Sequence, residues 1–173
     1  MVANSTLTGI ERPVHDDEII VSKTDAKGRI TYCNDVFIRL AGYSERELIG
    51  QAHNIIRHPS MPRCIFKLLW ETIASGKELF AYVVNRSKNG DHYWVLAHVT
   101  PDFDASGAII GYHSFRRSTS RAAIAVVEQL YARLLAEEGR HAERKVGQQA
   151  ASALLATILA DKGISYDEFV LSL

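Results

Sequence analysis

From Leu79 to Arg116 the sequence satisfies one architecture: a meander of three antiparallel strands. Lys88-Asn-Gly-Asp91 is an Asn-Gly hairpin turn, whose two central residues readily adopt the positive φ that joins right-twisted strands. Asp104-Ala-Ser-Gly107 supplies a second turn. Strands are expected over residues 79–85, 92–103 and 108–116. The middle strand is apolar on both alternating sets, with Tyr93, Val95, Ala97 and Val99 on one face and Trp94 and Leu96 on the other. A sheet apolar on both sides needs cover on both sides.

The upstream sequence supplies one cover. Residues 19–24 and 29–33 read as a hairpin around Asp25-Ala-Lys-Gly28. Asn34 or Asp35 then caps a short helix with Val36, Phe37 and Leu40 inward, closed by Gly42. Ser44-Glu-Arg-Glu47 is a capping box opening a second short helix. An irregular polar stretch, Gln51 to Pro62, precedes a longer helix over 63–75, whose inner face carries Ile65, Leu68, Leu69, Thr72 and Ile73. The order predicts an α+β fold: a five-stranded antiparallel sheet with short helices on one face, plus a C-terminal helical extension. We expect an arm over 1–18, a sensor domain over 19–118 and a helical segment over 119–173. Sheet and helices together enclose a half-open basket, a natural cavity for a planar ligand.

Bulk properties narrow the partners. Twenty basic residues balance twenty acidic ones, so no net field recruits nucleic acid or an anionic membrane. The longest apolar stretch, Ala150 to Ala160, is too short to span a bilayer, and the first residues lack the pattern of a signal peptide. No membrane insertion is expected, and a cytoplasmic location is. Cys33 and Cys64 are far apart and read as two free buried thiols. No Ser-His-Asp order, metal-ligand spacing or phosphate-binding glycine loop appears, so the chain does not read as an enzyme.

Several strings resemble known sequences. Tyr32-Cys-Asn-Asp-Val-Phe37, Ala41-Gly-Tyr-Ser44 and Glu47-Leu-Ile-Gly50 look like a PAS core. Gln51-Ala-His-Asn-Ile-Ile-Arg-His-Pro-Ser-Met-Pro62, with Trp70 and Asn85-Arg-Ser-Lys-Asn-Gly-Asp-His-Tyr-Trp94, is similar to the PAS domain of bacterial aerotaxis receptors. The resemblance implies noncovalently bound FAD and a redox or oxygen sensor. By position it implicates Arg57, His58, Trp70 and Asn85 at the cofactor, with Asn34 and His53 lining the same cleft. Ser60 departs from the family, which often has an acid there. Aerotaxis receptors continue into a membrane anchor and a signalling rod; this sequence shows neither, so a free-standing relative is expected.

The residues taken alone are compatible with that ligand. Phe66, Leu69 and Trp70 offer an apolar and aromatic wall for a tricyclic ring. Asparagine carries both donor and acceptor, matching the alternating edge of a pyrimidine. Arg57 can bind a diphosphate through paired charged hydrogen bonds, and His53 can stack on adenine. Each residue also has a plain structural role open to it: core packing for Trp70, a helix cap for Asn34, a strand end for Asn85, an ion pair for Arg57 and loop structure for His58.

Three other functions are open. A flavin-cysteinyl light sensor needs a cysteine in the stretch His53 to His58, which has none. A haem-based gas sensor needs an axial histidine, and residues 61–75 contain none, leaving His58 in a different arrangement. An interaction module without a redox cofactor is the third. In the C-terminal segment, Ile124, Val127, Leu130, Tyr131 and Leu134 form one apolar stripe, and Val146, Ala150, Ala153, Leu154 and Ile158 another. The charged break from Glu137 to Lys145 suits two helices or one long helix with a polar belt. The stripes fit either the domain's own sheet or the interface of a homodimer, and we expect the homodimer.

Overall fold

A computed structural model describes residues 6–173. Two strands, β1 (Ile20–Asp25) and β2 (Ile30–Cys33), form the first hairpin. Three short helical pieces follow: α1 (Asp35–Ala41), α2 (Glu45–Leu48) and a 3-10 turn (His53–Ile56). The longer helix α3 (Arg63–Ala74) leads into β3 (Leu79–Arg86), β4 (His92–Phe103) and β5 (Ile109–Arg117). The extension contains α4 (Arg121–Gly139), α5 (Arg144–Lys162) and α6 (Tyr166–Leu171). The polar break is therefore a true interruption, giving two long helices.

All strand pairs are antiparallel, in the order β2-β1-β5-β4-β3. The last strand pairs with the first, Ile20 opposite Arg116 through Asp25 opposite Gly111. The two sequence-distant strand groups thus become one sheet and bury their inner faces together. That inner face meets α1 and α3 over a core containing Phe37, Leu40, Ile65, Ile73 and Val95, each at most 1% exposed.

The outer face resolves the second cover. Ile124, Val127, Leu130, Tyr131 and Leu134 of α4 are all buried within the chain. Tyr131 packs near Trp94, with ring centroids 6.2 Å apart, and donates its hydroxyl to the Tyr82 carbonyl at 2.6 Å. The first stripe is therefore buried within the chain, with Tyr131 seated on the sheet. On α5 the buried residues are Gly147, Ala151 and Leu155, one step around the helix from the anticipated stripe. The free edge of β3 is blocked as well: Tyr131 covers the Tyr82 carbonyl, and the Met61 sulfur lies 3.4 Å from the Val84 amide.

The arm is pinned to the hairpin between β3 and β4. Asp91 accepts from Thr8 Oγ1 at 2.7 Å and from Arg12 Nε at 3.0 Å. Among the described residues, no helix is long and apolar enough to cross a membrane.

Candidate functional site

The basket holds a cavity of about 530 Å³, within the range of small-molecule sites. Its floor is the inner sheet face, where strand alternation aims Ser22, Thr24, Val83, Asn85, Tyr112 and Arg116 inward. Its roof is α3, whose helical period places Phe66, Leu69, Trp70 and Ile73 on one side. His53, Arg57 and neighbours close one flank.

Six of the eight candidates meet here: His53, Arg57, Phe66, Leu69, Trp70 and Asn85. Trp70 is not core packing. It remains 40% exposed and stands edge-on to Tyr112, with centroids 5.4 Å apart. Gly28 faces it from the first turn, and a Cβ there would lie 2.7 Å from the indole. Arg57 lies over the Phe66 ring at 4.5 Å and donates to the Met61 carbonyl at 3.0 Å.

Two candidates lie elsewhere. Asn34 has its whole amide committed to structure. Its Oδ1 accepts from Val21 N at 3.0 Å and from Phe37 N at 3.1 Å, and its Nδ2 donates to the Ile19 carbonyl at 2.8 Å. The cap reading prevails because one side chain ties the first hairpin to α1. His58 is buried on the other side of the loop, 5.7 Å from the His92 ring. It lines a separate hollow of about 380 Å³ with Ser60, Trp94 and Tyr131. Ser60 N donates to His58 Nδ1 at 3.1 Å, so the ring serves loop structure.

The residue that sequence reasoning missed is Arg116. It is 3% exposed, lies over the Phe37 ring at 4.7 Å, and forms no salt bridge among the described residues. Its Nη2 donates to Ser22 Oγ, while Nε and Nη1 have no hydrogen-bond partner among the described residues. Burial draws its pKa down to about 10, which still leaves it charged at neutral pH. The period-2 alternation from Tyr112 places Arg116 inward, and that was the available signal. Asn85 Nδ2 and Thr24 Oγ1 are likewise buried without partners among the described residues. Unpaired buried donors are costly, and all three of these side chains line the cavity.

His53 extends the polar group. Ser22 Oγ lies 3.0 Å from His53 Nε2. Ser22 Oγ also accepts from Arg116, so the hydroxyl links the guanidinium to the imidazole. His53 therefore joins Ser22 and Arg116 in a polar corner of the cavity. Burial and Arg116 push its pKa from 6.5 down to about 3, and burial with His92 pushes His58 down to about 4. The unfolded chain protonates both near pH 6.5 while the folded chain keeps them neutral. Stability present above that pH is lost as the pH falls through the interval toward the folded values. A urea midpoint at about pH 5 is expected below that at about pH 7, with a smaller drop in His53→Gln; equal midpoints in the wild-type protein would refute the assignment.

Comparison with known proteins identifies the fold family. The PAS fold family matches residues 30–116, half of the chain, and the chain belongs to that family. It is 42% identical over 144 residues to the aerotaxis receptor of Escherichia coli (strain K12), spanning 83% of this chain and 28% of that protein. It is 29% identical over 107 residues to the nitrogen fixation regulatory protein of Klebsiella pneumoniae, spanning 62% of this chain and 22% of that protein. The chain thus corresponds to about a quarter of the length of these relatives. Among solved structures, the blue-light photoreceptor Aureochrome1 LOV in its light state superposes with a TM-score of 0.56 at 27% identity, over 64% of this chain and 90% of that one.

Proposed function

We propose that this chain is a flavin-binding PAS sensor, with FAD as the bound flavin, that reports redox state or oxygen through protein contacts and operates in the cytoplasm. The observation that carries the reading is the set of orphaned buried donors, Asn85 Nδ2 with Arg116 Nε and Nη1, beside an aromatic and aliphatic roof. A flavin ring presents an apolar tricycle to such a roof and carbonyl and imine acceptors to such donors. Similarity to the aerotaxis receptor favours the same reading.

Bound flavin supplies reversible electron transfer. The protein's part is to hold the ring and sense its protonation. Asn85 can present either its N–H or its carbonyl, so a change at the ring edge is met by an amide turn. The strand pairing of Asn85 with Tyr93 carries that turn into the sheet, whose outer face α4 covers. A population shift between two packings of the extension is the output.

A cysteinyl adduct has no support, because neither Cys33 nor Cys64 lines the cavity. Burial and Glu138 also push the Cys64 thiol up to about 12, far from a reactive thiolate. The test is the identity of the bound group. Protein purified from cells is expected to be yellow, to bleach with dithionite and recover in air, and to release FAD on denaturation. A Soret band from haem, or a released metabolite without a flavin chromophore, would refute the reading.

A further inference from the structure

The C-terminal hairpin lies outside the matched family region of residues 30–116, yet it reaches the cavity. Gln148, on α5, is part of the cavity wall together with Arg57, Arg63 and Lys67. Its Nε2 also donates to the Arg63 carbonyl at 3.1 Å, which ties α5 to the first turn of α3.

The start of α3 has no cap of its own. Pro62 occupies the cap position and offers no side-chain acceptor. Glu138, at the end of α4, takes the role from a distance of more than seventy residues. Its Oε1 accepts from Cys64 N at 2.9 Å and its Oε2 from Arg63 Nε at 2.9 Å. The side chain is 4% exposed, so the carboxylate has left water and depends on these two donors. Negative charge at a helix N-terminus is also favoured by the helix dipole. Gly147 allows the approach: a Cβ there would overlap the Glu138 carbonyl oxygen.

We propose that the α4–α5 hairpin is part of the ligand site. Gln148, Arg57, Arg63 and Lys67 form a mouth for the phosphate-bearing tail of the ligand, and this mouth exists only while Glu138 holds the hairpin on α3. The inference rests on the flavin reading and adds a division of labour to it. Asn85 and Arg116 grip the ring, common to all flavins, whereas the mouth grips the tail. Glu138 touches no ligand; it is a positioning residue acting through Arg63 and α5. Linkage makes the effect reciprocal: a tail that favours the docked hairpin must stabilise it by the same factor.

The experiment uses the full chain loaded with FAD or with riboflavin, which lacks phosphates. Dissociation is followed by recovery of flavin fluorescence in wild type, Glu138→Gln and Gln148→Ala. Loss of a charge-assisted hydrogen bond predicts FAD release faster by about ten-fold or more in both variants. Riboflavin release should change less than about two-fold, since it makes no tail contact. Hydrogen exchange of wild-type α5 amides should be slower with FAD than with riboflavin. Equal acceleration for both flavins would reduce Glu138 and Gln148 to general stability and overturn the proposal. Unchanged FAD release in Gln148→Ala, or α5 exchange indifferent to the tail, would overturn it even if Glu138→Gln misfolds. Failure of wild type to bind either flavin would instead sink the flavin reading.

Discussion

Arg116→Met is expected to make the flavin-free protein more stable and flavin binding much weaker. The guanidinium is buried, charged and short of partners at Nε and Nη1, so its desolvation is uncompensated until a ligand arrives. Methionine keeps much of the length and the contact with Phe37 while removing the buried donors. A gain of about 1–3 kcal/mol in unfolding free energy follows from the cost of an unsatisfied buried group. Loss of hydrogen bonds from a charged donor predicts an increase of about 100-fold in the flavin dissociation constant. Opposite signs in the two measurements are what distinguish a ligand-binding residue from a structural one. If denaturant unfolding shows lower stability and flavin titration shows unchanged affinity, Arg116 is a core residue and nothing more.

Gly111→Ala carries the second large effect, this time on the fold. Gly111 pairs with Asp25 where β5 meets β1, the contact that turns two strand groups into one sheet. A Cβ at this position would overlap the Thr24 carbonyl oxygen, and backbone atoms cannot rotate away. Either β1 and β5 separate or their register shifts, and both expose the cavity floor at Thr24 and Ser22. A loss of about 3 kcal/mol or more in urea unfolding is expected, comparable to the worst overpacking substitutions. A loss under about 1 kcal/mol would mean that the β1–β5 junction is looser than its register indicates.

The two substitutions also mark what the sequence could reveal. β4 falls on residues 92–103 as anticipated, and the other strands within a residue or so, because alternation and turn chemistry are local signals. The helix start at Ser44 was equally legible, since a capping box is contained in four residues. Helical spacing in α3 supplied Leu69 and Ile73 of the cavity roof, whereas Phe66 and Trp70 were singled out as ring-stacking side chains.

What the sequence concealed was the set of distant contacts. Arg116 meets Ser22 across 94 positions, and Glu138 meets Arg63 across 75. Strand alternation could turn Arg116 inward, but nothing local names Ser22 or Arg63 as the partner of a residue so distant in sequence. Asn34 failed in the opposite sense. Its local role as a cap was readable, but the resemblance to aerotaxis receptors drew it toward the cavity. His58 shows the same limit: proximity in sequence to Arg57 did not mean a shared wall, because the turn after Ile56 sends the two side chains to different hollows.

The central claim is that the cavity between sheet and α3 binds one flavin. Titration of cofactor-stripped protein with FAD, followed by quenching of flavin fluorescence, tests it most directly. Saturation at one equivalent per chain is the predicted result. Fluorescence that rises linearly with added FAD, as for free flavin in solution, would contradict it.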